Sequence, residues 1–317
     1  MTKIVSIFGG SGFIGSYIVK LLAEAGLLIK IICRDPQHAM HLKPCGAVGQ
    51  IVPVAADIMN LEDVRRHVHD AYAVINLVGI LHELDDQSFM EIHAKAAENI
   101  AKCAKQSGVK KLIHFSALGI DDNSSSLYAR SKIAGEKAVL SAFPEATIAK
   151  PSLVFGEESK FFSLFARLVS LLPILPLVRR GETLFQPIYV LDVARFVSVA
   201  ILSDNMQGKI YELGGNKVYS FKEILRYIID ITGNRCKLLP IPGFLASFFA
   251  YILQLKLLRF LLRPLTGTMD PILTVDQVKL LMSDSVVGEG ALTLRDVDIE
   301  PESLEEIMLR CLDISKR

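Results

Sequence analysis

The stretch that most restricts what this chain can become is VSIFGGSGFIG, residues 5–15. The short apolar run Ile4 to Phe8 reads as a buried strand. It breaks at Gly9, Gly10, Ser11 and Gly12. Beyond Phe13 a helical pattern begins, with Ile14, Ile18, Leu21 and Leu22 recurring at spacings of three and four. The glycines have separate uses: one permits the tight turn, Gly12 lets backbone approach a ligand, and Gly15 lets the helix pack closely on the strand. The start of the helix offers free N–H groups and a partial positive charge, which suits phosphate. Strand, glycine turn and helix in this order form the context of a dinucleotide-binding turn, although a ligand-free turn can carry the same pattern.

The first half repeats this alternation. Apolar runs at 28–33, 51–55, 73–78, 111–115 and 146–150 read as further strands. Helical patterns fall at 61–69, behind a capping Asn60, at 89–107, stopped by Gly108, and around 128–139. Six strands alternating with helices predict an α/β fold, a doubly wound parallel (Rossmann) sheet with a smaller C-terminal lobe. The expected division assigns 1–156 plus 184–215 to the dinucleotide-binding domain. It assigns 157–183 and 216–317 to the lobe.

The strand ends carry the candidate site. Arg34 follows the second strand, where an acidic residue would bind the ribose 2′-hydroxyl of NAD and an arginine can pair with a 2′-phosphate. NADP(H) is therefore favoured over NAD(H), with Asp35 keeping NAD open. After the third strand, Asp57 can hydrogen-bond an adenine on which Ile58 packs, or it can cap a turn. Leu77, Val78 and Gly79 close the fourth strand, where ribose and nicotinamide would pass. Ser116 closes the fifth and could polarise a carbonyl. Tyr128 and Lys132, four apart, share one helical face. A nearby ammonium is expected to lower the phenol from about 10 and fit it for proton relay. Pro151 ends the sixth strand.

The net charge of +1 argues against nucleic acid as the main partner. Cys33, Cys45, Cys103, Cys236 and Cys311 are scattered without a CxxC pair, so buried free thiols are expected rather than disulfides or a metal site. No leader-like stretch stands before the first strand, and a cytoplasmic setting is expected. The chain is 51% hydrophobic, with a mean hydropathy of +0.38, high for a freely soluble protein.

These residues resemble the extended or atypical short-chain dehydrogenase/reductase superfamily. The matching pieces are GGSGFIG, Asp57-Ile58, Val78-Gly79, Tyr128-x-x-x-Lys132 with Ala134-Gly135-Glu136, Lys150-Pro151 with Gly156, and QPIYVLDVA at 186–194. Within it, YARSKIAGEKAV (128–139), FPEATIAKPSLVFG (143–156) and LTVDQVKLLMSDSVV (273–287) resemble the group that contains the nucleotide-binding accessory subunit of respiratory complex I. The resemblance implies a bound NADP(H), held by Gly9, Gly12, Phe13, Ile14, Arg34, Asp57 and Lys132, whose role is structural or regulatory. It also marks departures. Ala117 stands where many active members carry a second serine, and His93 stands where an asparagine often opens the preceding helix. The cofactor site therefore reads as intact and the proton relay as incomplete.

In the second half, 161–178 reads as a helix plus a hydrophobic elbow, broken by Pro173 and Pro176. A short strand precedes a helix from Val190. Tyr211 begins another strand, and Ser220 with Glu223 forms a capping box. Residues 244–262 are nearly all apolar, yet Lys256, Arg259 and Arg263 fall within roughly 60° on a helical wheel. Two readings stand: an interfacial helix lying on a membrane surface or on complex I subunits, or a core helix with its charges in water. The first places the protein peripherally at the inner face of the cytoplasmic membrane. Helices at 273–283 and 301–312 close the chain.

Overall fold

Each apolar run of the first half becomes a strand, and those inside the sheet are covered on both faces, as a parallel sheet between two layers of helices requires. The computed structural model describes residues 3–83, 87–255 and 271–315. The strands are β1 (Ile4–Phe8), β2 (Leu28–Cys33), β3 (Ile51–Ala55), β4 (Ala73–Asn76), β5 (Lys111–Phe115), β6 (Thr147–Pro151), β7 (Val154–Phe155), β8 (Ile174–Val178), β9 (Leu184–Phe185), β10 (Ile188–Tyr189), β11 (Ile210–Leu213), β12 (Tyr219–Ser220) and β13 (Lys237–Ile241). The principal helices are α1 (Phe13–Glu24), α2 (Leu61–Val68), α3 (Ala96–Gln106), α4 (Leu127–Ala142), α5 (Lys160–Leu171), α6 (Val190–Leu202), α7 (Phe221–Thr232) and α8 (Gly243–Leu253).

Seven strands form the central sheet in the order β11-β6-β5-β4-β1-β2-β3, every neighbouring pair parallel. The doubly wound sheet is as expected, with β11 as its seventh member. α1 and α6 pack on one face, around Ile18, Leu22, Val193 and Val197. α2, α3 and α4 pack on the other, around Val64, Ile100 and Val139. The order reverses between β1 and β4, which opens the crevice at their carboxyl ends.

Three boundaries differ from the sequence reading, each for a local reason. β4 stops at Asn76, because its side-chain Oδ1 accepts from Val78 N at 3.1 Å and draws the chain out of the ladder. The helix read at 89–107 begins as a π-turn, Met90–Lys95, before α3. The elbow after α5 is the strand β8, paired in parallel with β13 so that Ile174 faces Lys237 and Pro176 faces Leu239. A two-stranded ribbon tolerates proline because one side of each strand is unpaired.

The lobe has its own core of Phe155, Phe162, Leu177, Phe221, Ile224 and Leu225. Ser220 and Glu223 form the expected capping box on α7. α8 is turned inside out. Ala246 and Ala250 are buried against Val178 and Val278, while Phe244, Phe248 and Tyr251 point outward at 77%, 56% and 63% exposure. Residues 243–255 carry no charge, so residue size, not polarity, decides which face is buried. Lys256, Arg259 and Arg263 lie outside the described residues, as does the rest of the expected basic face. Among the described residues no helix is long and apolar enough to cross a membrane. Cys103 and Cys236 are buried free thiols, whereas Cys33 and Cys45 are only partly covered.

The α1 junction is the tightest point of the nucleotide-binding turn. A Cβ on Gly15 would lie 2.6 Å from Gly10 Cα, backbone that cannot swing aside. The substitution Gly15→Ala is expected to cost roughly 3 kcal/mol of stability through overpacking. Gly26→Ala, at φ +79 with open space around it, should cost only about 1 kcal/mol through left-handed strain. Denaturant unfolding of the two variants checks the ranking.

Candidate functional site

Gly9 begins the site. Its φ of +78 turns the chain sharply after β1, and a Cβ there would meet Leu77 C at 3.2 Å and Val78 N at 3.3 Å. The turn after β1 thus lies against the end of β4. Gly12 is the N-cap of α1 and gives it no side-chain cap. A Cβ on Gly12 would crowd Gly9 O at 3.3 Å. The first N–H groups of α1 have no partner within the helix, and no bulk stands on Gly12 to keep an anion away. Ser11, Phe13 and Ile14 line this turn, and the Phe13 ring reaches towards Gly156. The cradle fits a diphosphate.

Arg34 stands exposed just beyond β2. Asp35 turns away to accept from Gln37 N at 2.9 Å, capping the 3-10 segment Pro36–Cys45. Asp57 is exposed and its Oδ1 accepts from Met59 N at 2.9 Å, which caps the turn. Ile58 packs beside the α2–α3 core. Pro151 ends β6, its carbonyl accepting from Leu118 N at 3.0 Å.

α4 carries Tyr128 and Lys132 towards this edge. Lys132 is buried and its Nζ donates to Phe115 O at 2.7 Å. It stands 3.9 Å from where a Gly79 Cβ would be. Burial lowers its pKa to about 8, opposed by Glu136. The expected lowering of the phenol is not found. Burial pushes Tyr128 up to about 12, and the Lys132 ammonium donates to Phe115 O. Tyr128 stays neutral at physiological pH, where it can donate a proton but is a poor base.

Ser116 also differs from expectation. Its hydroxyl donates to the buried carboxylate of Glu136, whose other oxygen holds Lys150 Nζ at 2.8 Å. A hydroxyl proton committed to a carboxylate is not free to polarise a substrate carbonyl. Ala117 supplies no second hydroxyl.

His93 stands at the crossing of the π-turn and α4. A Cβ on Gly135 would collide with its carbonyl oxygen. Its Nε2 accepts from Ile80 N at 3.0 Å, which puts the ring proton on Nδ1, 2.8 Å from Ser131 Oγ. Ser131 in turn donates to Tyr128 O at 2.8 Å. The Tyr128 ring meets His93 edge-on at 5.2 Å and Phe89 at 5.8 Å. Burial, then Lys132, depresses the imidazole to about 3. Beside it, buried His114 receives a hydrogen bond from Asn76 Nδ2 at 3.1 Å, and its Nε2 has no partner among the described residues. Burial holds this ring well below the usual histidine range as well.

Sequence reasoning passed over Asn76, His114, Ser131 and Asp276. The carboxylate of Asp276 accepts from the Ser126 hydroxyl and from the N–H groups of Leu127 and Tyr128. Of these four, Asp276 alone carried a signal, the T-x-x-Q capping pattern around it at Thr274 and Gln277.

Residues 5–214 match the NAD dependent epimerase/dehydratase family. The chain is 32% identical to NADH dehydrogenase [ubiquinone] 1 alpha subcomplex subunit 9, mitochondrial, of Arabidopsis thaliana, over 95% of this chain and 75% of the relative. It is 28% identical to the ceramide reductase of Caulobacter vibrioides, over 77% of this chain and 76% of that protein. The fold is similar to that of Thermus thermophilus UDP-glucose 4-epimerase in complex with NAD, with a TM-score of 0.62, 22% identity, and coverage of 75% and 86% of the two chains.

The depressed His93 makes stability depend on pH. Unfolded, the ring takes a proton below its ordinary 6.5; folded, it stays neutral down to about 3. Its contribution is complete above 6.5 and is lost as pH falls through that window. The stability difference between wild type and His93→Gln is expected to shrink by about 2 kcal/mol from pH 6 to pH 4. Urea unfolding at the two pH values measures it.

Proposed function

The chain belongs to the NAD dependent epimerase/dehydratase family, and on that premise we propose that it is an NADP(H)-binding accessory or assembly component of a respiratory NADH:quinone oxidoreductase. The observation that carries this reading is a mismatch within one site. The glycine cradle at Gly9–Gly15 is open to a diphosphate, while the Ser116 proton is given to Glu136 and Ala117 follows it. The relatives named as alpha subcomplex subunit 9 support the assembly context.

In this reading Gly9, Ser11, Gly12, Phe13 and Ile14 receive the pyrophosphate on the start of α1. Arg34 pairs with a 2′-phosphate, Asp57 and Ile58 flank the adenine, and Leu77, Val78, Gly79 and Pro151 border the nicotinamide ribose. Lys132, in reach of Gly79, holds that ribose. When bound, the dinucleotide supplies a hydride donor or acceptor at its nicotinamide. The chain divides accordingly into the nucleotide-binding part, 1–156 with 184–215, and the interaction lobe, 157–183 with 216–317.

The outward aromatic face of α8 is the docking surface, towards complex I subunits or the inner face of the cytoplasmic membrane. A separate groove of about 460 Å³ beside β13 is lined by Lys222, Arg226 and Lys237, with Asp230 on the same wall. A second reading, an active NAD(P)H-dependent oxidoreductase or epimerase, is favoured by one observation: Tyr128 and Lys132 both stand at the crevice, with the neutral phenol able to serve as an acid.

Protein denatured after purification is expected to release NADP(H), and the native protein to leave NADPH unoxidised across a carbonyl panel. Oxidation with any carbonyl would move the assignment to the enzyme, and an absence of nucleotide binding would end both readings. Arg34→Ala is expected to weaken NADPH about tenfold or more, the scale of a hydrogen bond to a charged group, and to leave NADH nearly unchanged. Equal losses would exclude the 2′-phosphate contact.

A further inference from the structure

The first turn of α4 is held from the other lobe. Leu127, Tyr128 and Ala129 carry N–H groups that a helix start cannot pair within itself. Ser126, the N-cap, takes one of them, Ala129 N at 3.2 Å. The Asp276 carboxylate takes the other two. Its Oδ1 accepts from Leu127 N at 2.7 Å, and its Oδ2 accepts from Tyr128 N at 3.1 Å and from the Ser126 hydroxyl at 2.7 Å.

Asp276 lies 148 residues from Tyr128 in the chain. It sits in the first turn of the helix Val275–Leu280, which Thr274 and Gln277 fix with their own capping box. That helix is fastened to the lobe where Val278 packs with Ala246, Ala250 and Val178. Further along, the same segment is stitched to the other end of the Tyr128 loop. The Ser152 hydroxyl donates to Ser285 O at 2.7 Å, the Ser285 hydroxyl donates to Leu118 O at 3.2 Å, and a Cβ on Gly119 would collide with Asp284 O. Residues 118–128 are therefore pinned at both ends by 276–285.

We infer that Asp276 is a positioning residue for Tyr128, through which the C-terminal lobe sets where α4 begins above the crevice. An N-cap is ordinarily local, so a helix start keeps its place whatever the rest of the chain does. Here two of the three free N–H groups are satisfied only when the lobe is seated. The negative charge also lies at the positive end of α4, which strengthens the hold. Lys132, one turn further on, has little freedom between Phe115 O and Gly79, so a shift of the helix start alters the ribose contact as well. This second consequence rests on the NADP(H) reading, whereas the placement of Tyr128 does not.

The experiment compares the full chain with Asp276→Ala, using Ser220→Ala as a control that removes the cap of α7 away from the crevice. Tyr128 ring signals, assigned by Tyr128→Phe, carry ring-current shifts from His93 and Phe89. In Asp276→Ala they are expected to move towards free-tyrosine values, with amide exchange at Leu127 and Tyr128 accelerated. In Ser220→Ala both should stay in place, despite a comparable fall in melting temperature. Unmoved Tyr128 signals in a folded Asp276→Ala variant would overturn the inference and leave an ordinary cap. NADPH affinity is read alongside and is expected to fall several-fold in Asp276→Ala only. A wild-type protein that binds no NADPH would remove the cofactor reading, with the Tyr128 signals still deciding the positioning role.

Discussion

The close approach of Gly9 to the backbone of Leu77 and Val78 is the contact on which the site depends. It occurs where the sheet order reverses between β1 and β4, so two strands that diverge above the sheet touch at their ends. The positive φ at Gly9 sends the chain back across that gap into α1. Gly10, caught between Ile7 and Ile31, and Gly15, caught against Gly10, remove the bulk that would lift the helix away. The crevice results from backbone packed on backbone, with the strand cores of Ile7, Ile31 and Ile75 beneath it.

Above that crevice the polar groups are paired with one another. Glu136 joins Ser116 to Lys150, Lys132 is tied to Phe115, and His93 links Ile80 to Ser131 and so to Tyr128. Buried polar groups satisfied in this way rigidify a core. Burial shifts each group towards its neutral form: the histidine and the tyrosine are neutral, and the lysine is lowered to about 8. Such an arrangement suits holding a ligand in a fixed pose more than cycling protons, and this is why the binding and relay halves of the site read so differently.

Much of this was legible from sequence where the signal is local. The β1–α1 unit, Asn60 before α2, and the Ser220–Glu223 box all follow from a few adjacent residues, and they stand as expected. The alternation of apolar runs with helical patterns led to the correct sheet. What escaped detection depends on distance through space. Ser116 and Glu136 are 20 residues apart, and the phenol of Tyr128 responds to burial that no i,i+4 spacing reports. The same spacing invites the inference that Lys132 serves Tyr128, but its ammonium is bonded to the Phe115 carbonyl, which no spacing reports. In α8 there is no charge within 243–255 to mark an outside, so a hydrophobic periodicity cannot separate the buried alanines from the exposed phenylalanines.

The inverted packing of α8 has a consequence for the life of the chain before it finds its place. A helix that buries alanine and displays Phe244, Phe248 and Tyr251 has completed its own fold and still looks unfinished to its surroundings. Such a surface is the kind that chaperones hold and proteases sample. That exposure belongs to the folded shape itself and involves no loss of core stability.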